Sequence, residues 1–535
     1  MTTARAGAPL LEIDALSVSI GARQIIKNLS LELGAGEILG LVGASGSGKS
    51  LTALAILQLL PAQARLTGAV RLRGETLTTK SDGELQAIRG RDVGMVFQEP
   101  MTALNPLMCI GDQVAETVRL HRSVSLAEAR NLARATLDLV GLRGEQGAPD
   151  RLPYELSGGQ RQRVAIAMAV ALAPPLLIAD EPTTALDVGT QAQVLRLLRE
   201  LAHTRNMGLI LVSHDLAVVA AVTDRIAVMQ QGEIVEQGAT QQLLRHFQHP
   251  YGRALLAAAE LTPKSGKPPR EIAAPVLEVR DVVHEYPRRR RSLWHAATAL
   301  RSVDGVSLSV HPGETVGLVG ESGSGKSSLL RVILALERPK SGEVRVLGDA
   351  FLTARGASLR RLRRSIQVVF QDPFGSFDPQ WSVERLVAEP FFLLDSPPSA
   401  AERRRKVATV LEQVGLTASD VLRFPHEFSG GQRQRIAIAR ALITEPSVIA
   451  FDEAVSALDV LVRAQILELL ADLADRLKLA YLFVSHDLNV VRSIADRIYV
   501  MQQGRIVEHG STDTVFDSPR HAYTQELIAA TPTLR

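Results

Sequence analysis

The chain of 535 residues has a single cysteine, no long apolar run and almost no net charge. One cysteine, Cys109, excludes an internal disulfide, a CxxC pair and a cysteine-ligated iron–sulfur cluster. The longest apolar runs, such as residues 165–172, fall well short of the roughly 18 residues of a membrane-spanning helix. A net charge of +3 argues against a dedicated nucleic-acid binder. Because residues 1–9 also lack the apolar core of a signal peptide, we expect a soluble, cytoplasmic protein.

An internal repeat divides the chain into two halves, in keeping with a length too great for one domain. Lys49 and Lys326 lie 277 residues apart, and later landmarks such as Asp180 and Asp452 lie 272 apart. Late in each half, MQQGEIVEQG and MQQGRIVEHG agree at eight of ten positions. We therefore predict a tandem duplication, with a first domain over residues 10–262, a proline-rich linker over 263–275 and a second domain over 276–535.

Each half carries a glycine-rich GxxxxGKS loop between an apolar run and a segment of helical character. Such a loop turns successive backbone N–H groups toward a phosphate chain, at the positive end of the following helix. Lys49 would neutralise the β- and γ-phosphate oxygens, and the Ser50 hydroxyl would ligate Mg²⁺, with Lys326 and Ser327 as their counterparts. The predicted phosphate-binding residues are Gly43, Ala44, Ser45, Gly46, Ser47, Gly48, Lys49 and Ser50, and Gly320, Glu321, Ser322, Gly323, Ser324, Gly325, Lys326 and Ser327.

Apolar runs alternate with helical segments downstream of each loop, which predicts a parallel sheet with its chemistry at the carboxyl ends of the strands. The acidic and histidine motifs follow such runs, and each histidine lies 33 residues after the glutamate. These residues are suited to phosphoryl transfer to water, which needs positioning and charge neutralisation. We predict that Asp180 and Asp452 support Mg²⁺ and that Glu181 and Glu453 polarise the attacking water. His214 and His486 would contact the γ-phosphate or the water. Gln98 and Gln371 would sense whether Mg²⁺ and the γ-phosphate are bound.

An SGGQ segment opens a long helical stretch in each half and predicts a second anion site. Its small residues and exposed N–H groups would bind phosphate without side-chain charge, which makes sense only opposite the glycine-rich loop of another domain. The residues are Ser157, Gly158, Gly159 and Gln160, and Ser429, Gly430, Gly431 and Gln432.

The remaining pattern predicts several local elements. Alternating apolar residues over 11–20 predict an edge strand of a β layer, and polar, turn-rich sequence follows the glycine-rich loop as far as Asp92. Ser125 with Glu128, and Ser399 with Glu402, have the spacing of a capping box and predict helices that end at Gly141 and Gly415.

In order and spacing, these motifs resemble those of ABC-type ATPases over residues 10–535. The resemblance implies an α/β fold of two tandem P-loop NTPase domains, each with a RecA-like parallel-sheet core, an antiparallel β layer and a helical signature subdomain. In that family two domains pack head to tail and hold two ATP molecules, each with Mg²⁺. One site would join 43–50 with 429–432 and the other 320–327 with 157–160, as an intramolecular pseudo-dimer.

The sequences QEPMTALNP and QDPFGSFDP after the two glutamines, HPYGRALL from His249 and the weaker His521-Ala522-Tyr523 resemble the oligopeptide/dipeptide and nickel importer subgroup. The whole chain resembles its fused double-ATPase subunits, which serve uptake of peptides, microcin C or glutathione. The resemblance implies two permease subunits, a periplasmic solute-binding protein and a peripheral position on the cytoplasmic face of the inner membrane. The residues after Gln98 and Gln371 would line the groove for the permease coupling helices. We expect no nucleic-acid partner.

The sequence departs from the family pattern at several positions. Tyr286 fits the aromatic residue on which adenine stacks, whereas Ile20 occupies that region of the first half and predicts weaker stacking there. Ala454 replaces the usual proline after Glu453. We interpret the run Arg288–Arg291 as a solvated loop, in preference to a contact with a partner or with membrane headgroups.

The alternative function is that of a tandem ABC protein that acts on ribosomes, which the short linker disfavours. A DNA-repair ABC ATPase would need zinc-binding cysteines or a coiled coil.

Overall fold

The structure is a computed structural model that describes residues 8–98, 103–144, 148–184, 186–261, 273–287, 299–373, 375–532 and 534. Most of the predicted linker and the run Arg288–Arg291 lie outside these ranges, as do residues 99–102 and 374 of the two loops that follow the glutamines. Within the described ranges, no helix is both long and apolar enough to cross a lipid bilayer.

The described residues form twenty strands and eighteen α-helices. The strands of the first half are β1 (Leu11–Ile20), β2 (Arg23–Leu33), β3 (Ile38–Val42), β4 (Ala64–Leu72), β5 (Glu75–Thr76), β6 (Val93–Val96), β7 (Leu176–Asp180), β8 (Gly208–Ser213), β9 (Arg225–Gln230) and β10 (Glu233–Ala239). Those of the second half are β11 (Leu277–Pro287), β12 (Ala299–Val310), β13 (Thr315–Val319), β14 (Ser341–Val346), β15 (Asp349–Ala350), β16 (Ile366–Val369), β17 (Val448–Asp452), β18 (Ala480–Ser485), β19 (Arg497–Gln502) and β20 (Arg505–Ser511).

The helices of the first half are α1 (Lys49–Ile56), α2 (Asp82–Ile88), α3 (Ile110–His121), α4 (Leu126–Leu139), α5 (Gly158–Val170), α6 (Val188–Thr204), α7 (Leu216–Ala220), α8 (Thr240–Arg245) and α9 (Pro250–Ala259). Those of the second half are α10 (Lys326–Ile333), α11 (Gly356–Ser365), α12 (Val383–Ala388), α13 (Ala400–Gln413), α14 (Gly430–Leu442), α15 (Val460–Leu477), α16 (Leu488–Ile494), α17 (Thr512–Asp517) and α18 (Ala522–Ala530).

A six-stranded sheet forms the centre of each half, in the order β10-β9-β3-β8-β7-β6 and its counterpart β20-β19-β13-β18-β17-β16. All neighbouring strands except the outer β9–β10 and β19–β20 pairs are parallel. Since β3, β7 and β8 are buried along their whole length, they are near-continuous apolar runs. This confirms the predicted parallel sheet, and it brings the residues that follow β3, β6, β7 and β8 to one edge.

A four-stranded antiparallel layer covers one face of each sheet, in the orders β2-β1-β4-β5 and β12-β11-β14-β15. The prediction that residues 11–20 form an edge strand is wrong, because β1 pairs with β2 on one side and β4 on the other. The sequence analysis missed β4, whose alternation is interrupted at Gly68. There φ is +93°, and an added Cβ would lie 2.5 Å from the carbonyl oxygen of Ala15, beside a register shift in the pairing with β1.

Helices α3 to α5 and their counterparts α12 to α14 form the helical part of each half. The Ser125 hydroxyl oxygen accepts a hydrogen bond from the Glu128 N–H at 3.2 Å and begins α4. Ala133, Leu137 and Val140 are buried in the core that α4 shares with the sheet. The capping box of Ser399 and Glu402 begins α13 in the same way.

The two halves contact each other through the helices at the ends of their domains. Helix α9 of the first half packs against α15 of the second, and α18 packs against α6. Between these contacts Arg463, which is 11% exposed, donates to Asp487 Oδ2 at 2.9 Å and lies 3.8 Å from Asp215 Oδ2 of the other half. Each aspartate also caps the helix that follows it, α7 or α16. The duplicated position of Arg463 in the first half is Gln191, so one arginine serves both aspartates.

We predict that Arg463→Gln destabilises the contact between the halves by about 2 kcal/mol, because it leaves two partly buried carboxylates without their shared cation. The midpoint of thermal unfolding should fall by several degrees. Arg476→Gln is the matched control, since Arg476 pairs with Asp472 only four residues away and both side chains are half exposed. Equal midpoints for the two variants would contradict the bridging role of Arg463.

Candidate functional site

The glycine-rich loop of each half curls around a buried lysine ammonium. Lys49 Nζ donates to the carbonyl oxygens of Gly43 at 2.8 Å and Ala44 at 2.9 Å. Lys326 Nζ donates in the same way to Gly320 at 2.7 Å and Glu321 at 2.8 Å. Burial lowers the pKa of Lys49, and the charges of nearby carboxylates, Glu181 first, oppose that shift. Each loop thus presents a positive charge and a curved row of N–H groups, the arrangement suited to phosphate.

Glycine is required at the first position of each loop. A Cβ on Gly43 would lie 2.2 Å from the carbonyl oxygen of Met229, at the end of strand β9, and a Cβ on Gly320 would lie 2.2 Å from that of Met501. The backbone of the MQQG segment therefore packs directly against the loop, which explains why the two segments recur together in both halves.

A Gln–Glu–His cluster lies at the carboxyl ends of the strands in each half. Glu181 Oε1 accepts from His214 Nδ1 at 3.0 Å, and Glu181 Oε2 accepts from Gln98 Nε2 at 3.1 Å. Three elements that are far apart in the sequence thus meet at one carboxylate, following strands β6, β7 and β8. In the second half Glu453 takes the corresponding bonds, from His486 at 3.1 Å and from Gln371 at 3.1 Å.

Both glutamates have a backbone conformation that L-residues rarely adopt, with φ of +46° at Glu181 and +47° at Glu453. Each is held there by a hydrogen bond from its N–H to the neighbouring strand, to the carbonyl oxygen of Val212 or Val484 at 2.9 Å. In this conformation each glutamate carboxylate lies within hydrogen-bonding distance of the glutamine and the histidine of its own half.

The carboxylate of Glu181 is stabilised in its charged form. Burial alone would raise its pKa, but hydrogen bonds from His214 and Thr184 and the charge of His214 bring the pKa to about 2. The Thr184 hydroxyl donates to Glu181 Oε2 at 2.9 Å, a contact that the sequence analysis missed. At the duplicated position Ser456 donates instead to the carbonyl oxygen of Glu453 at 2.8 Å. The pKa of Glu453 is also lowered, through His486.

In the first half, an oxygen-rich position lies between the glycine-rich loop and the acidic strand end. The Ser50 hydroxyl donates to Asp180 Oδ1 at 3.1 Å, and Asp180 is 4% exposed. Burial raises the pKa of Asp180 and of Asp452, so both carboxylates lack full charge compensation. Hydroxyl and carboxylate oxygens suit Mg²⁺, which takes few protein ligands when phosphate oxygens supply the rest. Within the described part of the chain, no group of three or more His, Cys, Asp or Glu side chains is placed to hold a metal ion.

The signature segments begin helices α5 and α14 with capping boxes in which Ser157 pairs with Gln160 and Ser429 with Gln432. A Cβ on Gly159 would lie 2.2 Å from Thr190, so the start of α5 is in close contact with the first turn of α6. Burial lowers the pKa of Lys326 in the other half, and the charges of Glu453 and of Asp187, the N-cap of α6, oppose that shift. The first signature and the second glycine-rich loop therefore approach the same junction.

Further contacts across this junction follow the same head-to-tail order. A Cβ on Gly189 would lie 2.8 Å from Glu321 Oε1 of the second loop. At the other junction the charge of Asp459, the N-cap of α15, acts on Lys49. Asp187 and Asp459 belong to the segments after the acidic motifs, and the sequence analysis had not assigned them to a site.

Tyr286 lies near the end of β11, where its hydroxyl donates to Glu337 Oε2 at 2.7 Å and its ring meets His284 edge to face. Ala454, in place of the usual proline, is buried, and Glu453 before it has a positive φ like that of Glu181. The role of Tyr286 in stacking adenine stays a prediction.

We predict that Glu453→Gln lowers the pKa of His486. Burial of His486 would lower its pKa, but the hydrogen bond and charge of Glu453 raise it above the ordinary 6.5. The stabilisation is therefore complete below about pH 6.5 and is lost as the pH rises through the raised pKa. NMR titration of the imidazole measures the shift, and the difference in unfolding midpoint between parent and variant should shrink at alkaline pH. Glu468→Gln, at an exposed position of α15, is the control; an unchanged His486 titration in Glu453→Gln would refute the pairing.

The ABC transporter family matches residues 26–184 and 303–456, which contain both glycine-rich loops and both signature segments. The C-terminal region of oligopeptide/dipeptide transporters matches residues 235–279 and 507–535.

Among relatives, the glutathione import ATP-binding protein GsiA of Escherichia coli O6:H1 is 45% identical over 538 residues, covering 95% of this chain and 86% of the relative. The GsiA protein of Salmonella typhimurium is 45% identical over 541 residues with the same coverage. Among solved structures, cbiO1 from Clostridium perfringens, part of the ABC transporter complex cbiONQ, is 27% identical with a TM-score of 0.40, covering 46% of this chain and 91% of cbiO1. With the family matched around both sites, the chain belongs to the ABC transporter family and carries two of its ATPase domains on one polypeptide.

Proposed function

We propose that this chain is the energy-coupling ATPase subunit of an importer for peptides or peptide-like solutes, and that it acts from the cytoplasmic face of the inner membrane on two permease subunits fed by a solute-binding protein. The proposal is carried by an arrangement that occurs in both halves. In each half a Gln–Glu–His cluster lies beside a buried loop lysine, and the charge of an aspartate from the other half acts on that lysine.

Each ATP lies at a junction between the halves in this proposal. Residues 43–50 bind its phosphates opposite the signature 429–432, and residues 320–327 do so opposite 157–160. Lys49 and Lys326 exchange the carbonyl oxygens of their own loops for phosphate oxygens, which releases those carbonyls and lets the loop fit around the anion. Binding thus favours the arrangement in which the two halves are in contact.

Ser50, Asp180 and Gln98 would hold a magnesium ion in the first half, and Ser327, Asp452 and Gln371 would hold one in the second. When bound, the ion would supply charge neutralisation of the phosphate oxygens. Gln98 also donates to Glu181, the residue that contacts the attacking water. Its side chain therefore connects the metal position to this glutamate.

Glu181 and Glu453 orient and polarise the attacking water. With a pKa of about 2, Glu181 is ionised at neutral pH and accepts hydrogen bonds rather than storing a proton. Its Oε2 accepts two bonds and its Oε1 accepts one, from His214, which leaves Oε1 with room for a water. His214 and His486 fix the direction of these carboxylates and face the position of the γ-phosphate.

The import role is supported by the relatives and by exposed apolar side chains. The relatives named above are glutathione import proteins, which favours a small peptide-like cargo. Phe97 and Leu107, which flank the loop after β6, are 44% and 88% exposed, and Phe370 and Phe392 of the second half are 37% and 67% exposed. Such residues on both halves fit a surface that the permeases cover.

We predict that Glu181→Gln and Glu453→Gln each lower the rate of ATP hydrolysis by about 10²-fold or more at the altered site, because the amide cannot polarise the water as the carboxylate does. ATP should still bind, since the loops are unchanged. Phosphate release in each single variant and in the double variant checks this. If either single variant hydrolysed ATP at the parent rate, the proposal that both sites are active would be wrong.

Co-purification tests the import role. The tagged chain should bring down two polytopic permease subunits from detergent-solubilised membranes, at one chain per pair, identified by mass spectrometry. ATP hydrolysis by that complex in vesicles should rise when the matching binding protein is loaded with glutathione or a short peptide. Recovery of ribosomal proteins with the chain, and of no permease, would overturn the import role in favour of a soluble translation factor.

A further inference from the structure

The helix at the end of each domain begins with a His-x-Tyr sequence, His249-Pro250-Tyr251 in α9 and His521-Ala522-Tyr523 in α18. The chemistry described above gives these residues no role, although they recur in both halves. Their contacts are the same in the two copies and lead to the glycine-rich loops.

Each tyrosine hydroxyl accepts a hydrogen bond from the second residue of the loop in its own half. The Ala44 N–H donates to Tyr251 Oη at 2.8 Å, and the Glu321 N–H donates to Tyr523 Oη at 2.9 Å. Burial raises the pKa of Tyr523 to about 12, so its hydroxyl is neutral at physiological pH. The loop backbone therefore has a fixed point just before the row of N–H groups that faces the phosphates.

The tyrosine itself is held from two directions. In the first half, both carboxylate oxygens of Glu236 accept backbone N–H groups, from Gln248 at 2.8 Å and His249 at 3.0 Å. His249 Nδ1 then accepts the Tyr251 N–H at 3.2 Å. Glu236 belongs to the repeated MQQG segment, which also packs against the loop, so loop, strand and helix form one unit.

The second half repeats every one of these bonds. Glu508 accepts from Arg520 at 2.8 Å and from His521 at 3.0 Å. His521 Nδ1 accepts the Tyr523 N–H at 3.2 Å. Two copies of the same network, in halves whose surrounding sequences differ, show that the network is a property of the repeat rather than of one local environment.

The other side of each tyrosine helix faces the opposite half. Helix α9 packs against α15, whose N-cap is Asp459, and α18 packs against α6, whose N-cap is Asp187. The charges of these aspartates reach Tyr251 and Tyr523 respectively, as well as Lys49 and Lys326. Each tyrosine thus lies between the loop of its own half and the segment of the other half that meets this loop.

We propose that Tyr251 and Tyr523 are positioning residues of the two ATP sites. Through one hydroxyl each they hold the loop in its phosphate-binding shape, and through their helices they link that shape to the contact with the opposite half. The proposal rests on the ATP sites proposed above and adds the domain-end segments to them.

Tyr251→Phe and Tyr523→Phe test this, because each removes one oxygen and keeps the ring. Each variant should weaken binding of MgADP at its own site by about threefold to tenfold, measured by calorimetry. The KM for ATP should rise to a similar extent while kcat changes less than twofold. AMP, which lacks the β-phosphate that the loop surrounds, should bind the variants and the parent equally.

The control is Tyr481→Phe. Tyr481 is fully buried in β18, and within the described part of the chain its hydroxyl has no hydrogen-bond partner, so the loss of its oxygen should leave MgADP binding unchanged.

Parent affinity for MgADP in both Tyr251→Phe and Tyr523→Phe would overturn the proposal. A fall in unfolding midpoint that is the same with and without MgADP would overturn it as well, by showing a purely structural role. A parent protein that binds no MgADP would instead refute the ATP sites themselves.

Discussion

A buried ammonium group at the mouth of each parallel sheet is the constraint on which the rest of this structure depends. Lys49 and Lys326 are 5% and 4% exposed, and a charge removed from water to this extent must be surrounded by partners. The carbonyl oxygens of the loop supply the hydrogen bonds, and the acidic pair after β7 or β17 supplies the compensating charge. Loop, strand end and sheet order are therefore parts of one electrostatic arrangement.

The same constraint connects the halves. Among the charges acting on each loop lysine is an aspartate of the other half, Asp459 for Lys49 and Asp187 for Lys326. Each loop lysine is therefore influenced first by the glutamate of its own half and also by one aspartate of the other half. The head-to-tail packing of the two halves provides this contribution at both loops.

The duplication is not an exact copy, and the differences are paired. Glu321 of the second loop fills the space beside Gly189, whereas the duplicated positions hold Ala44 and Leu461. At one junction the large Glu321 of the loop thus faces the small Gly189 of the other half. At the other junction the loop residue is the small Ala44 and the residue of the other half is the large Leu461, which packs against the first-half core. Two further pairs of duplicated positions also differ, since Ser456 replaces Thr184 and Arg463 replaces Gln191 in the second half. These differences make the two junctions similar in chemistry and different in shape.

The sequence by itself determined the repeat, the parallel sheets and the grouping of Gln98, Glu181 and His214, because strand ends in a parallel sheet meet at one edge whatever the rest of the chain does. It did not reveal that β1 lies inside its sheet, since the alternation of β4 is interrupted at Gly68. Only the tertiary structure decided which groups from distant segments share a junction. The approach of Tyr251 to Ala44 across 207 residues, the bridge of Arg463 and the fit of Gly189 to Glu321 depend on how helices pack between the halves. Periodicity and motif spacing describe one element at a time, whereas such contacts depend on the relative placement of several elements.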